Sequence, residues 1–430
     1  MIIVDDALKQ REAQNRPLRV ALIGAGFMGR GIANQIVNYV PGMELAVICN
    51  RTPDNAGKAW HYAGVKDFSD VSTAAQLEDA IRSKKPVITS DTLVACESDS
   101  IDVLIESTGA VEFGAQLALQ AIEHKKHIVL MNAELDSTIG PYLKTLADEA
   151  GIIYTGCDGD QPGVQMNLLR FVESIGMVPR VCGNIKGLQD RYRNPTTQES
   201  FAKQWGQTPS MVTSFADGTK ISFEQAIVAN ATGFKVSQRG MIGWDYDGHV
   251  DDLADKYDVD MLREHGGIVD YVVGALPSPG VYICAEAHDP NQHIYLDYGK
   301  LGKGPLYSFY VPYHLTVFEV PLSAARAVLH QDAVIAPIGA PVVDVVAAAK
   351  VDLAVGDTID MLGGYKTYGL CEDAEIVNSE RLLPIGIAEG AIVKKAVNKD
   401  SVLTMDDIEL PDNTCVQLRA RQDSHFANNP

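Results

Sequence analysis

The sequence predicts an α/β protein whose N-terminal part folds as a parallel, doubly wound sheet. Short apolar runs at 19–24, 43–50 and 101–108 alternate with segments of helical periodicity. Such alternation is typical of parallel strands joined by crossover helices. The pattern changes after Cys157, and at 430 residues the chain is too long for one compact core. Two or three domains are therefore expected.

The N-terminal elements follow one another in a regular order. Residues 19–24 (RVALIG) are predicted to form a buried strand, and residues 27–39 a helix that ends before Pro41 and Gly42. The next strand, MELAVICN, ends at Asn50. The first domain, over 1–157, is completed by strands at 101–108, 127–132 and 152–157, helices at 111–124 and 137–150, and extra helical material at 66–97.

The middle of the chain predicts a central α+β domain over 158–330. A helix at 163–177 precedes a strand near 180–188 and a polar, helix-rich stretch that reaches about residue 275. The segments VYICAEA, HIYLDY and LYSFYVPYH are joined by DPNQ and GKLGKG, which have the composition of turns. This arrangement predicts an antiparallel meander and an open antiparallel sheet. Because open sheets of this kind are often buried against a second copy, a homodimer is expected.

The last part of the chain, over 331–430, predicts a small β-rich C-terminal domain. It begins as an Ala-, Val- and Gly-rich stretch and continues as short β-like pieces. The final DSHFANNP is expected to be a loose tail.

Composition limits the classes of partner. The formal net charge is −20, from 56 acidic residues against 36 Lys plus Arg. An acidic surface repels phosphate backbones and anionic headgroups, so neither a nucleic-acid nor a membrane partner is expected. The seven cysteines have no CxxC spacing, which predicts reduced thiols. With no signal-peptide pattern and no apolar run near 20 residues, the expected location is cytoplasmic.

A glycine motif, GAGFMG, follows the first strand and opens the first helix. This context is that of a Rossmann dinucleotide-binding turn. Gly24 permits the tight turn, Gly26 lets a pyrophosphate approach the backbone, and Gly29 lets the helix pack on the strand. The helix N-terminus, with Phe27 and Met28, offers free N–H groups to phosphates. A glycine-rich turn without a ligand is the alternative.

The end of the second strand indicates which dinucleotide is preferred. NAD sites place Asp or Glu there to bind the ribose 2′-OH. This chain has Asn50, Arg51 and Thr52, which include no acid to repel a 2′-phosphate and one arginine to bind it. The predicted cofactor is therefore NADPH.

The ends of the next two strands carry further candidate cofactor contacts. Ser107, Thr108 and Gly109 follow one strand, and Asn132 ends the other. Their backbone, hydroxyl and amide groups can contact the nicotinamide half of the cofactor. The same residues can equally cap the strand-to-helix turns, so both interpretations stay open.

Three segments, GAGFMG, DVLIESTG and KKHIVLMNAELDSTIGPYLKTLADEAGIIY, resemble the homoserine dehydrogenase-like superfamily. That superfamily usually has a lysine where this chain has Glu134, which argues against homoserine as substrate. The whole chain is similar to one branch, the 1-deoxy-D-xylulose 5-phosphate reductoisomerase-like (DRL) enzymes, and GAIVKKAVNKDSVLTMDDIELPD resembles a SAF β-clip module. The resemblance implies conversion of 1-deoxy-D-xylulose 5-phosphate to 2-C-methyl-D-erythritol 4-phosphate with NADPH and Mg²⁺ or Mn²⁺.

Four basic residues of this acidic chain fall within the eighteen positions 186–203. Arg191 and Arg193 can grip a substrate phosphate in a bidentate manner, and Ser200 with Lys203 can complete the site. A solvated loop is the alternative interpretation.

Candidate catalytic groups lie on either side of this segment. Asp158, Asp160 and Gln161 follow the last Rossmann strand, where the two carboxylates can bind a metal or accept protons, although Asp160 can equally be an N-cap. The other candidates are Lys186, Lys220 and Glu224. Lys220 and Glu224 lie four apart on a predicted helix, where a solvated ion pair is the alternative.

The leading hypothesis from these residues is an NADPH-dependent reductoisomerase of isoprenoid precursor synthesis. One alternative is an NADP-dependent dehydrogenase of the same fold that acts on a small hydroxy acid or semialdehyde. Another is a non-catalytic NADP(H)-binding regulator. Hydrolase and kinase classes lack support because the sequence has no GxSxG, HExxH or Walker A motif.

Overall fold

The structure, a computed structural model, describes residues 4–428. By compactness the chain divides into two units. The first contains the described residues up to 160 together with 315–336, and the second contains 161–314 and the residues from 337 onward. This division differs from the predicted boundaries at 157 and 330, because the segment at 315–336 returns to the first unit and the C-terminal residues belong to the second.

A seven-stranded parallel sheet forms the centre of the first unit, as the sequence predicts. The strand order is β3-β4-β2-β1-β5-β6-β7, and every neighbouring pair is parallel. β1 is buried along its length except at Arg19, as expected for a parallel strand covered on both faces. The strands are β1 (Leu18–Ile23), β2 (Met43–Cys49), β3 (Ser69–Asp70), β4 (Val87–Thr89), β5 (Val103–Glu106), β6 (His127–Leu130) and β7 (Tyr154–Gly156).

Helices connect these strands at the predicted places. The segment 66–97 contains the expected helical material and also the two short strands β3 and β4, which the sequence analysis missed. The helices are α1 (Asp5–Ala13), α2 (Phe27–Tyr39), α3 (Pro53–Tyr62), α4 (Ala74–Arg82), α5 (Leu93–Glu97), α6 (Val111–Glu123) and α7 (Ala133–Ala150).

The second unit contains a five-stranded sheet of order β12-β11-β8-β10-β9. β8, β11 and β12 pair antiparallel as predicted, whereas β8, β10 and β9 pair parallel, so the sheet is mixed. Its elements are α8 (Gln161–Ser174), β8 (Val178–Lys186), α9 (Pro195–Trp205), α10 (Pro209–Ala216), α11 (Thr219–Thr232), β9 (Trp244–Asp245), α12 (Val259–His265), β10 (Ile268–Val273), β11 (Gly280–Glu286), α13 (Pro290–Tyr298) and β12 (Leu306–Val311).

One predicted strand of this unit is wrong. The segment HIYLDY lies in helix α13, so β11 and β12 pair directly without a third meander strand between them. Asp289 caps this helix by accepting a hydrogen bond from the Asn291 N–H at 2.9 Å, and Pro290 occupies the first turn. Asp followed by Pro is a helix-start signal as well as a turn signal, which explains the error.

The chain then returns to the first unit as α14 (Thr316–His330), whose Val320 and Ala324 join the hydrophobic core there. The remaining residues belong to the second unit and form two small antiparallel pairs, β13 with β14 and β15 with β16. The predicted loose tail is wrong as far as it is described, because helix α16 continues to Asn428. These elements are β13 (Val343–Ala349), β14 (Thr367–Asp373), α15 (Ala374–Ser379), β15 (Ile392–Val393), β16 (Ile408–Glu409) and α16 (Thr414–Asn428).

No helix between residues 4 and 428 is both long and apolar enough to cross a bilayer.

Candidate active site

The turn after β1 has the geometry that a dinucleotide requires. Gly24 has a φ of +105°, which L side chains rarely adopt. A Cβ on Gly29 would lie 2.3 Å from the Gly24 carbonyl oxygen, so α2 packs directly on the turn. A Cβ on Gly26, the N-cap of α2, would meet no described atom within 4 Å. That space fits a pyrophosphate beside the first N–H groups of α2, which include those of Phe27 and Met28.

The segment after β2 keeps the features from which NADPH was predicted. Arg51 is exposed, and the Thr52 N–H donates to Asn50 Oδ1 at 2.9 Å, which fixes a tight turn at the end of the strand. The chain has no acidic residue at positions 50–52. The preference for NADPH over NADH stays a prediction.

The turn after β5 is held by its own side chains. Ser107 Oγ donates to the Ile23 carbonyl at 2.9 Å, and so ties β5 to β1. The Thr108 N–H and hydroxyl both donate to Glu106 Oε1, the former at 2.7 Å. Gly109 follows with a φ of +69°. These bonds assign the hydroxyl groups a structural role, and their direct contact with a cofactor stays a prediction.

Asn132 acts as the N-cap of α7. Its Oδ1 accepts from the Leu135 N–H at 3.1 Å, and its Nδ2 donates to the Ala110 carbonyl at 3.1 Å. The residue is 0% exposed. The capping interpretation of Asn132 therefore has direct support.

Two buried carboxyl groups lie at this end of the sheet. Burial raises the pKa of Glu106 to about 7 and that of Asp136 to about 6. Asp136 Oδ1 accepts a hydrogen bond from the Tyr154 hydroxyl at 2.8 Å. Within the described chain, no donor reaches Asp136 Oδ2, whereas hydrogen bonds from Thr108 and Asn132 partly oppose the raised pKa of Glu106. Both acids therefore favour the protonated form more strongly than exposed carboxyl groups do.

Asp158 is engaged in an ion pair within the first unit. Its Oδ1 accepts from Arg326 Nη1 at 2.8 Å, and its Oδ2 accepts from Ser323 Oγ at 3.1 Å. Asp160, which is partly exposed, directly precedes α8. Residues 4–428 contain no group of three or more His, Cys, Asp or Glu side chains placed to hold a metal ion. The predicted ligands Asp158 and Asp160 therefore do not fit a divalent cation.

A buried polar cluster lies in the second unit, where α8, β8 and α11 meet. Asn184 of β8 donates from Nδ2 to Gln161 Oε1 and also to Glu224 Oε2, the latter at 3.1 Å. Gln161 Nε2 lies 3.3 Å from His314 Nε2. The structure thus brings together two of the predicted catalytic residues, Gln161 and Glu224, through Asn184.

Lys186 and Lys220 adjoin this cluster. Lys186 follows Asn184 by two positions on β8 and so points to the same face of the sheet. Burial lowers the pKa of Lys186, Glu224 raises it, and Lys220 lowers it further. Lys220 and Glu224 are only 8% and 5% exposed, so the alternative of a solvated ion pair is wrong.

This arrangement suits chemistry on an oxygen-rich substrate. Ammonium groups stabilise negative charge that develops on a ketone or alkoxide oxygen, and a carboxylate beside them accepts a proton. Asn184 Oδ1 is buried, and no donor in the described chain reaches it. A substrate hydroxyl can satisfy that oxygen, because buried polar atoms are normally hydrogen-bonded.

Asn184 was not among the residues predicted from the sequence. Its signal was its place two residues before Lys186 on a strand already predicted, since residues i and i+2 of a strand share a face. His314 could not be linked to Gln161 from the sequence, because 153 positions separate the two residues.

The predicted phosphate-binding residues lie on one loop and the helix that follows it. Arg191 Nη1 donates to the Tyr368 hydroxyl at 3.4 Å, and Arg193 Nε pairs with Asp190 Oδ2 at 3.1 Å. Ser200 and Lys203 are exposed and three positions apart on α9, so they share a helix face. Their joint action on a phosphate stays a prediction.

The fold and the matches that follow support an NAD(P)-dependent oxidoreductase. Residues 24–155 match the NAD-binding domain of homoserine dehydrogenase, and residues 159–320 match the catalytic domain of oxidoreductase DRL. Homoserine dehydrogenase of Bacillus subtilis (strain 168) is 28% identical over 143 residues, which are 33% of this chain. The matching part spans 29% of the length of that relative. Together these matches support the homoserine dehydrogenase-like superfamily.

Several solved structures of dehydrogenases resemble this chain at low similarity. A probable dehydrogenase from Thermotoga maritima has a TM-score of 0.42 and 12% identity, and covers 75% of this chain and 91% of its own. Myo-inositol 2-dehydrogenase from Lactobacillus plantarum has a TM-score of 0.38 and 14% identity, and covers 74% of this chain and 88% of its own. At such low similarity these structures carry no argument about the substrate.

Proposed function

We propose that this protein is an NADPH-dependent reductoisomerase that converts 1-deoxy-D-xylulose 5-phosphate to 2-C-methyl-D-erythritol 4-phosphate. The proposal is carried by one observation. Lys186 and Lys220 adjoin a buried polar cluster that contains Glu224, within the segment that matches the DRL catalytic domain, and the charges of Glu224 and Lys220 act on Lys186. The cation-rich loop that follows Lys186 supplies a place for the substrate phosphate.

Each group has a defined task in this proposal. Lys186 and Lys220 stabilise the charge on adjacent substrate oxygens while the carbon skeleton rearranges. Glu224, held by Asn184, exchanges a proton with a substrate hydroxyl, and Gln161 orients Asn184. Arg191 and Arg193, with Ser200 and Lys203, hold the phosphate. NADPH, bound at the glycine turn with Arg51 at its 2′-phosphate, supplies the hydride.

The test is loss of NADPH absorbance with purified protein and 1-deoxy-D-xylulose 5-phosphate, with Mg²⁺ or Mn²⁺ and, separately, with chelator. Arg191→Ala is expected to raise KM roughly tenfold or more, because a charge-assisted contact to phosphate is lost. Lys220→Met is expected to lower kcat by about a hundredfold, since it removes charge stabilisation in the transition state. Arg381→Ala, an exposed arginine of the C-terminal residues, is the control and is expected to leave both constants unchanged. Intact NADPH binding without turnover of this substrate would rule the proposal out.

A second candidate is an NADP-dependent dehydrogenase for a small hydroxy acid or semialdehyde. It is favoured by the match of residues 24–155 to the homoserine dehydrogenase domain. It is also favoured by the ion pair of Asp158 with Arg326, because Asp158 then does not fit the divalent cation that the reductoisomerase is expected to use. This candidate predicts turnover of an unphosphorylated substrate and little effect of Arg191→Ala. Cofactor binding without turnover of any substrate in such a screen would point to a regulator instead.

A further inference from the structure

The C-terminal residues of the second unit contact the loop that carries Arg191. Tyr192 donates its hydroxyl hydrogen to the Asp400 carboxylate, with oxygen–oxygen distances of 2.8 and 2.9 Å. Lys399 Nζ lies 3.8 Å from the centroid of the Tyr192 ring. Thr196 and Tyr365 are hydrogen-bonded through their hydroxyls at 2.9 Å. The loop therefore contacts a part of the chain that lies about 200 positions away in sequence.

Tyr368 links Arg191 to Asp400. Its hydroxyl accepts from Arg191 Nη1 at 3.4 Å and donates to Asp400 Oδ1 at 3.4 Å. The Arg191 guanidinium carbon also lies 5.6 Å from the centroid of the Tyr368 ring. The Asp400 carboxylate thus lies one hydroxyl group away from the guanidinium that we assign to the substrate phosphate.

Lys350 joins the Arg191 loop to the segment that precedes Tyr365. Its ammonium donates to Asp217 Oδ2 at 2.7 Å, to the Arg193 carbonyl at 2.9 Å and to the Gly364 carbonyl at 2.8 Å. The Lys350 side chain is 3% exposed. Three acceptors satisfy all three donors of a buried ammonium, so the loop and the residues that precede Tyr365 are fastened together.

We propose that Asp400 determines how strongly the Arg191 loop binds an anionic group, by holding a negative charge beside the site. This inference rests on the proposed function, in which Arg191 binds the substrate phosphate. A fixed carboxylate repels a phosphate dianion and partly neutralises the guanidinium. Inorganic phosphate is therefore bound weakly. A ligand that also engages the buried polar cluster gains additional contacts, so the complete phosphorylated substrate still binds where free phosphate binds weakly.

The experiment compares the full-length wild-type protein with Asp400→Asn by calorimetric titration of inorganic phosphate. Asn has nearly the same size and keeps an oxygen that accepts from Tyr192. It also suits the φ of +66° at this position. The Kd for phosphate is expected to fall roughly three- to tenfold, and this difference is expected to shrink as NaCl is raised, since the charges are exposed. The KM for 1-deoxy-D-xylulose 5-phosphate is also expected to fall, with kcat unchanged.

Two further variants distinguish the effect of the Asp400 charge from the effect of its hydrogen bond to Tyr192. Tyr192→Phe removes the hydrogen bond and keeps the carboxylate, and is expected to leave the Kd for phosphate within about twofold. Asp406→Asn removes an exposed carboxylate that pairs with Arg381 and is the matched control, with no expected effect. An Asp400→Asn protein with unchanged or weaker phosphate binding would overturn the inference, as would a lack of phosphate binding by either protein.

Failure of the proposed function has a different signature. Phosphate titration needs no turnover, so tighter binding by Asp400→Asn supports the inference even if neither protein oxidises NADPH with this substrate. Turnover by the wild type with no difference between the two proteins in phosphate binding would leave the proposed function in place and reject the role of Asp400.

Discussion

Gly26 and Gly29 stand three residues apart in one turn, yet an added methyl group has different consequences at the two positions. Gly26 has φ −73° and ψ −160°, which an L residue can adopt, and its Cβ would meet no described atom within 4 Å. The Cβ of an alanine at position 29 would lie 2.3 Å from the Gly24 carbonyl oxygen.

Gly26→Ala is therefore expected to retain the thermal stability of the wild type and to raise the Kd for NADPH roughly tenfold or more, because the methyl group takes the space of the pyrophosphate. Gly29→Ala is expected to lower Tm as well, because α2 must move away from the turn. Thermal unfolding and NADPH fluorescence titration of both variants check this pair. Unchanged NADPH affinity in Gly26→Ala would contradict the assigned cofactor position.

Glu106 is expected to make the stability of the protein depend on pH. Its folded-state pKa is raised to about 7 by burial, and hydrogen bonds from Thr108 and Asn132 only partly oppose this shift. A carboxyl group with a raised folded-state pKa stabilises the fold at low pH, and this contribution is lost as pH rises through the folded-state value. Loss is therefore expected between the ordinary pKa near 4.5 and about 7.

Glu106→Gln removes this ionisation and keeps an oxygen that accepts from Thr108. Relative to the wild type, the variant is expected to gain about 1–3 kcal/mol in free energy of unfolding between pH 5 and pH 8. Urea unfolding of both proteins across this range measures the gain. Asp136 titrates in both proteins, so its contribution cancels in the difference. A difference that does not vary with pH would show that Glu106 is ionised throughout.

At the scale of elements, Lys350 and Asp217 join the strand β13 to the start of α11. Asp217 Oδ1 accepts from the Thr219 N–H at 2.8 Å, and its Oδ2 pairs with Lys350. The side chains are 3% and 0% exposed. This pair therefore connects the C-terminal residues with the helix that carries Lys220.

Lys350→Met is expected to destabilise the second unit by about 3–5 kcal/mol, because it leaves a buried carboxylate without its partner. The double variant Lys350→Met/Asp217→Asn removes both charges and is expected to be less destabilised than the single variant. Urea unfolding monitored by tryptophan fluorescence measures both, since Trp205 and Trp244 lie in this unit. Equal destabilisation in the single and double variants would show that the charge of Asp217 does not matter.

For the whole molecule, the C-terminal residues are part of the compact second unit. Asn230 of α11 donates to the Val343 carbonyl at 3.1 Å and accepts from the Val343 N–H at 3.1 Å. Arg419 of α16 pairs with Asp344 of β13 at 2.6 Å. These contacts make the residues from 337 onward structural partners of α11.

A chain that ends at residue 336 is therefore expected to lose the folded second unit and to keep NADPH binding by the first. Limited proteolysis and NADPH titration of the truncated protein check this prediction. The wild-type protein under the same protease is the control. A truncated chain whose residues 161–314 resist protease as well as the wild type would show that this part folds without the C-terminal residues, as a separate C-terminal domain requires.

The sequence by itself determined the features that depend on neighbouring residues. The parallel sheet, the helix at 27–39 and the glycine turn at Gly24, Gly26 and Gly29 follow from apolar runs, helical periodicity and backbone conformation, which are local properties. The candidate residues Gln161, Lys186, Lys220 and Glu224 could also be chosen in this way. The errors at HIYLDY and at the C-terminal tail arose where one local pattern fits two structures.

Only the tertiary structure decided which of those side chains are buried and which groups they meet. The links from Asn184 to Gln161 and Glu224, from Lys350 to Asp217, and from Tyr192 to Asp400 join residues that are 23 to 208 positions apart. Burial and charge pairing depend on how distant elements pack, because a side chain loses its water only when another segment covers it. For this reason Asp158 could be named from the sequence as a metal ligand, whereas its ion pair with Arg326 became visible only in the fold.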